Sequence, residues 1–106
     1  MYASIRTYRA DPAHVDEILT RADEEFAPKL AEEAGFRAYQ MLDCGDGCVV
    51  TMSEFDTQEQ AEHSLEMAAE FVRDRLAEFE IERIDAKAGE ARVSVAAREM
   101  LEPAHV

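Results

Sequence analysis

Two runs of alternating side chains, 36–43 and 48–55, stand on either side of Gly45-Asp46-Gly47. A glycine-bracketed loop of this length between alternating runs folds as a β-hairpin, because glycine adopts positive φ without steric cost. A hairpin alone is marginal in water and must bury a face. The flanking sequence supplies the means. Upstream, Asp11-Pro12 reads as a helix N-cap followed by proline at the first helical position. Val15, Ile18, Leu19, Ala22 and Phe26 then recur at helical spacing. Pro28 removes a backbone donor near the end of this helix, which predicts a kink or a second short helical piece over 28–34, closed by Gly35. Downstream, Asp56-Thr57 with Glu59 and Gln60 makes overlapping capping boxes. Ala61, Leu65, Ala68, Val72, Leu76 and Phe79 follow, all within roughly 80° of one another on a helix.

Residues 2–9 mix aromatic and β-branched residues with polar ones and read as a first strand. The stretch from Glu80 to Ala97 reads as one or two further strands, 80–86 and 90–97, interrupted at Gly89. The order β-α-β-β-α-β is that of a ferredoxin-like α+β domain with an antiparallel sheet. With 106 residues there is room for one such domain, set at 1–97, and a tail of 98–106 in which Met100 and Leu101 follow no clear period. Helices cover only one face of this sheet. Phe36, Ala38 and Leu42 on the second strand are expected opposite Tyr39 and Met41, and Val50 and Met52 on the third opposite Val49 and Phe55. Both faces are partly apolar, which predicts a homodimer packed sheet to sheet.

Charge limits the partners. Against 24 Asp and Glu stand 11 Lys and Arg, only two of them Lys, for a formal net charge of −13. Nucleic acid and anionic membrane both bind through cationic surfaces, so neither is expected. Nor is there an apolar leader at Met1–Pro12 or a run near the roughly 20 apolar residues that cross a bilayer. A soluble, cytoplasmic protein follows, and two cysteines make no disulfide framework. The acidity suits a high-salt host or an ordinary acidic protein equally.

With its order of elements, "GFRAYQMLD" after the first helix and "TMSEFDTQEQAEHSLEMAAEF" across the third strand and second long helix, the chain resembles the dimeric α+β barrel superfamily. The likeness is to antibiotic-biosynthesis-monooxygenase-like domains in particular, and it spans residues 2 to about 96. It implies two subunits whose sheets close into a barrel, with a ligand pocket between sheet and helices. The superfamily's activities include cofactor-free oxidation of polycyclic aromatic phenols, haem degradation and isomerisation of small lactones. Its haem-degrading members use an Asn, a Trp and a helical His, and the quinone-forming oxygenases also lean on Asn and Trp. This chain has neither Asn nor Trp. Only His63 lies in a segment like the one carrying the family's histidine. Haem degradation is therefore disfavoured. Acylphosphatase-type chemistry on this topology also needs Asn.

Candidate catalytic residues are Tyr39, Tyr8 and Arg37, with His63 in reserve. Tyr39 and Arg37 are expected on one face of the second strand, and Tyr2, Arg6 and Tyr8 on one face of the first. Facing the pocket, a phenol and a guanidinium would bind and polarise an anionic or phenolic substrate, with Ser53 and Glu54 close by. Facing solvent, the arginines would simply pair with carboxylates. His63 lies about 200° around its helix from Ala61, away from the apolar stripe. His14 is off its stripe and His105 is in the tail, so no histidines have ligand spacing. Cys44 and Cys48 flank the hairpin loop without a second Cys or His pair to complete a zinc site. Met41, Met52, Met67 and Met100 suit adaptable packing. No metal or cofactor is expected.

Two functions are consistent with this reading. One is a small-molecule protein, resembling cofactor-free monooxygenases, for aromatic or apolar substrates. The other is a non-catalytic dimer that binds a metabolite or has a structural, stress-related role. A closed pocket of a few hundred cubic ångström lined by Tyr39 and an arginine favours the first, and a filled interior the second.

Overall fold

Strand β1, Tyr2–Arg9, opens the chain, and the Asp11 carboxylate then accepts from the Ala13 N–H at 2.9 Å to start a helical stretch. The computed structural model describes residues 1–97; the expectations for Met100, Leu101 and His105 lie outside them. Helix α1, Val15–Arg21, passes through a π-helical turn at Ala22–Phe26 into α2, Ala27–Ala31. Pro28 explains the turn. Its ring would clash with the carbonyl four residues back, and Ala27 instead donates five residues back, to Ala22. The expected disturbance is thus a widened turn and a short second piece that begins one residue before Pro28. That turn carries Ala22 and Phe26, both buried.

Gly35, at φ +77°, redirects the chain into β2, Phe36–Gly45. A Cβ there would overlap the Gln60 side-chain amide. The hairpin forms as expected: Gly45, Asp46 and Gly47 all have positive φ, and β3 follows at Cys48–Phe55. Thr57 then caps α3, Gln58–Arg75, in a reciprocal capping box with Gln60, whose two bonds measure 3.3 and 3.1 Å.

The remaining strand differs from the sequence expectation. β4 is one strand, Glu82–Glu90, that runs through Gly89, and 91–97 form no regular structure. The cause is the length of its neighbour. β4 pairs with β1, whose ladder ends with Tyr2 opposite Glu90, and one further backbone bond, from the Ala91 N–H to the Met1 carbonyl at 2.8 Å, closes the pairing.

The four strands lie in the order β2-β3-β1-β4, every neighbouring pair antiparallel. All helices cover one face. Phe26, Leu30, Phe55, Ala61 and Ala68 form one core cluster, and Ala10, Ile18, Leu76 and Phe79 a second. Arg21 clasps the helices together: it donates to the Arg75 carbonyl at 2.8 Å and Glu78 at 2.6 Å, with its guanidinium 4.7 Å from the Phe79 ring centre. Among the described residues, no helix lies on the opposite sheet face. There Ile5 and Leu42 are each 47% exposed, beside half-buried Val50 and Met52.

Candidate functional site

β1 is inverted relative to an ordinary half-buried strand. Its apolar Ile5 faces outward, while Ser4 and Arg6 are buried under the helices. Thr51 and Ser53 on β3 are buried beside them, held opposite by the register Arg6↔Thr51 and Ser4↔Ser53. The result is a polar stripe along the middle of the inner face. The Ser4 and Ser53 hydroxyls are 2.9 Å apart, and Arg6 Nε donates to Thr51 Oγ1 at 2.8 Å. Arg6 Nη2 reaches Ser53 Oγ at a long 3.4 Å.

Arg6 is 1% exposed and has no carboxylate partner among the described residues. Its Nη1 is buried with no hydrogen-bond partner among them. Loss of hydration lowers its pKa, while the nearby phenols of Tyr8 and Tyr39 favour its charge. Guanidinium nevertheless stays protonated in proteins. A buried cation without an anion costs on the order of several kcal/mol, and hydroxyl acceptors offset only part of that. The fold spends stability here.

Above the stripe lies a cavity of about 40 Å³ between the sheet and the helices, with Arg6, Tyr8, Tyr39 and Thr51 on the sheet side. Phe26 and Phe71 line it from the helices. A water needs about 10–15 Å³ on this measure, so the cavity as it stands holds a few waters rather than a ring. It lies between the two expected extremes: the right residues line it, but it is smaller than a few hundred cubic ångström. Burial raises the Tyr39 phenol well above its ordinary pKa, and the Arg6 cation only partly opposes this. Tyr39 is therefore a neutral hydroxyl, able to donate, and its ring meets Phe26 edge to face at 5.7 Å.

Of the residues singled out from sequence, Tyr39, Tyr8 and Arg6 come together at this cavity and His63 does not, while Arg37 joins Tyr39 at a second cavity of about 260 Å³, bordered by Glu54 and Val95. The strand register shifts between Phe36 and Ala38. Phe36 consequently packs with Tyr39 on the core side, and Arg37 is exposed, ion-paired with Asp56 at 2.5 Å. His63 sits on the exposed face of α3, its Nε2 3.0 Å from Glu33. His14 packs against Phe79, with ring centres 5.2 Å apart. Cys44 and Cys48 are free thiols, and no three His, Cys, Asp or Glu side chains among the described residues converge as a metal site. The residue that sequence reading missed is Thr51. Its signal was the alternation Val49, Thr51, Ser53, Phe55, which becomes meaningful only once β1 is aligned beside it.

Comparison with known proteins gives the same architecture. A provisionally described antibiotic biosynthesis monooxygenase from Deinococcus radiodurans superposes with a TM-score of 0.73 at 18% identity, covering 92% of this chain and 98% of that one. A dimeric ferredoxin-like protein from an uncultured marine organism gives 0.71 at 14% identity, covering 91% and 98%. The ActVA-Orf6 monooxygenase of Streptomyces coelicolor, solved with nanaomycin D, gives 0.67 at 15% identity, covering 91% of each chain. At these identities the likeness is one of fold. No curated protein matches the sequence. The family model for antibiotic biosynthesis monooxygenase matches residues 1–73, which takes in β1, the hairpin and most of α3, the elements that build the cavity. By that match, the chain belongs to the antibiotic biosynthesis monooxygenase family.

Proposed function

We propose that the chain takes an aromatic or otherwise apolar small molecule into the cavity between sheet and helices and oxidises it as a cofactor-free monooxygenase. The observation that carries this reading is a polar floor, Tyr8, Tyr39 and Arg6, beneath apolar walls. Ligand sites have this composition: greasy walls for affinity and a few polar groups for orientation. A phenol converted to a quinone suits such a site. Dioxygen places one atom in the ring and the other leaves as water, with all electrons supplied by the phenol. Tyr39, held neutral, would donate to the substrate oxygen, and Tyr8 would flank it. Arg37 and His63 lie outside the cavity and would act at its surroundings. The working unit is a homodimer joined through the outward sheet faces, where Ile5 and Leu42 are exposed. Its setting is the cytoplasm, in which Cys44 and Cys48 stay reduced. The dimeric ferredoxin-like protein and the monooxygenase with nanaomycin D, both of the same fold, support the assembly and the reaction class respectively.

The direct test is oxygen uptake with hydroxynaphthalenes and dihydroxynaphthalenes, quinone formation being followed by absorbance. Uptake above the uncatalysed rate is expected, falling about 10-fold or more in Tyr39→Phe at unchanged melting temperature. Uptake that is equal with and without protein would contradict catalysis. The small cavity favours one other reading, a non-catalytic dimer that holds a metabolite. Tight binding of the same phenols without turnover would select it.

A further inference from the structure

The Arg6 side chain is the group in this molecule whose placement packing does not explain. Its bonds to Thr51 and Ser53 engage Nε and Nη2, leaving both N–H groups of Nη1 without an acceptor among the described residues. Carboxylates are plentiful in the chain, 24 of 106 residues, yet none among the described residues is placed against it. Arg21, Arg37, Arg73 and Arg75 on the outside all have acidic partners. The neighbouring strand adds a second positive charge. Arg83 on β4 stands opposite Tyr8, the residue two along from Arg6, acts on the Arg6 charge, and has no ion-pair partner among the described residues. An acidic protein thus keeps one buried guanidinium at an apolar cavity with no anion against it among the described residues, and the exposed Arg83 on the neighbouring strand adds to the positive charge.

We infer that the cavity is a receptor for an oxyanion on an apolar ring, a carboxylate or a phenolate, whose oxygen accepts from Arg6 Nη1. The inference rests on the reading of this cavity as a ligand site, and it adds the charge and anchoring atom of the ligand. Nη1 and the weakly engaged Nη2 form the edge of the guanidinium that matches a carboxylate or a single anionic oxygen. The anion neutralises a charge that the fold buries uncompensated, so binding recovers stability lost on folding. Room for the ring comes from Met41, which lines the cavity and is half-buried, and whose unbranched side chain repacks at low cost.

Matched probes separate charge from shape. Benzoate and benzamide share a ring and outline but differ in charge, and 4-nitrophenol reports by its colour whether it is bound as phenolate. Binding to the full chain is measured by isotope-edited NMR for wild type, Arg6→Met and the double variant Arg6→Met with Thr51→Val, which also removes the hydroxyl that the first change orphans. Wild type is expected to prefer benzoate by about 10- to 100-fold, the range of a charge-assisted hydrogen bond. Both variants are expected to lose the preference while still binding benzamide. Phenolate colour on wild type but not on the variants supports the same anchor for a phenolic ligand. Equal affinity for benzoate and benzamide in wild type overturns the inference and leaves the cavity reading intact. Failure of every probe to bind wild type overturns both. A preference for benzoate that survives in the double variant places the anion elsewhere and also overturns the inference.

Discussion

Arg6 and Thr51 show how one residue's cost depends on its neighbour. Thr51 Oγ1 accepts from Nε at 2.8 Å inside the sheet. Thr51→Val leaves that N–H buried and unpaired, and should destabilise the protein by about 1–3 kcal/mol. Arg6→Met in the Thr51→Val background removes the charge and both members of that hydrogen bond together, and Ser53 keeps its bond to Ser4. Replacing a buried charge by a well-packed apolar group is often neutral or stabilising, so this double variant should match wild type or exceed it by up to about 3 kcal/mol. Chemical denaturation of the single and double variants checks the ordering. A double variant less stable than Thr51→Val alone would make Arg6 a structural strut. The phenol of Tyr39 was legible from strand alternation alone. Arg6 was legible beside Tyr8 on its strand face, but its partners Thr51 and Ser53, 45 and 47 residues away, were not, and Arg37 is displaced by a register shift that depends on strand pairing.

At the scale of elements, local chemistry and long-range pairing divide the chain differently. The Asp11 and Thr57 caps, the hairpin glycines and the buried stripe of Ala61, Ala68, Leu76 and Phe79 were all legible, because each follows from residues a few positions apart. The undivided β4 was not, since its end is set by where β1 runs out. Gly35 joins the two kinds of constraint. It turns the chain into β2 at positive φ, and the Gln60 amide that completes the α3 cap occupies the space of its missing Cβ. Gly35→Ala should therefore cost more than about 1 kcal/mol, through backbone strain and a displaced capping box together. Thermal melts of Gly35→Ala and Gln60→Ala test this. The capping loss is shared between the two sites, so the double variant should lose less than the sum of the singles. Additive losses would mean that Gly35 acts on its own backbone only.

For the whole molecule, the inverted β1 carries a second consequence. Polar residues that would ordinarily wet a sheet face are buried under the helices, and Ile5 with Leu42 stands on the face without helices. A dimer through that face carries a formal charge of 2 × −13, or −26, so its contact must be apolar. Ile5→Glu should then give monomers by sedimentation at concentrations where wild type is dimeric. A wild type that sediments as a monomer would refute the assembly. The same charge makes stability salt-sensitive, since the screening length falls from about 10 Å at 0.1 M to about 3 Å at 1 M. The melting temperature should climb across that range, and a flat response would show that the carboxylates do not oppose folding.

Function in this protein rests on a cavity beneath the helices in which a buried arginine would anchor an oxygen-bearing ligand. Native mass spectrometry of wild type and Arg6→Met, each purified from the protein's own host, tests it most directly. Wild type should appear as a dimer that retains an acidic or phenolic small molecule, and Arg6→Met as a dimer that does not. Bare protein in both, or the same molecule retained equally by both, would contradict it.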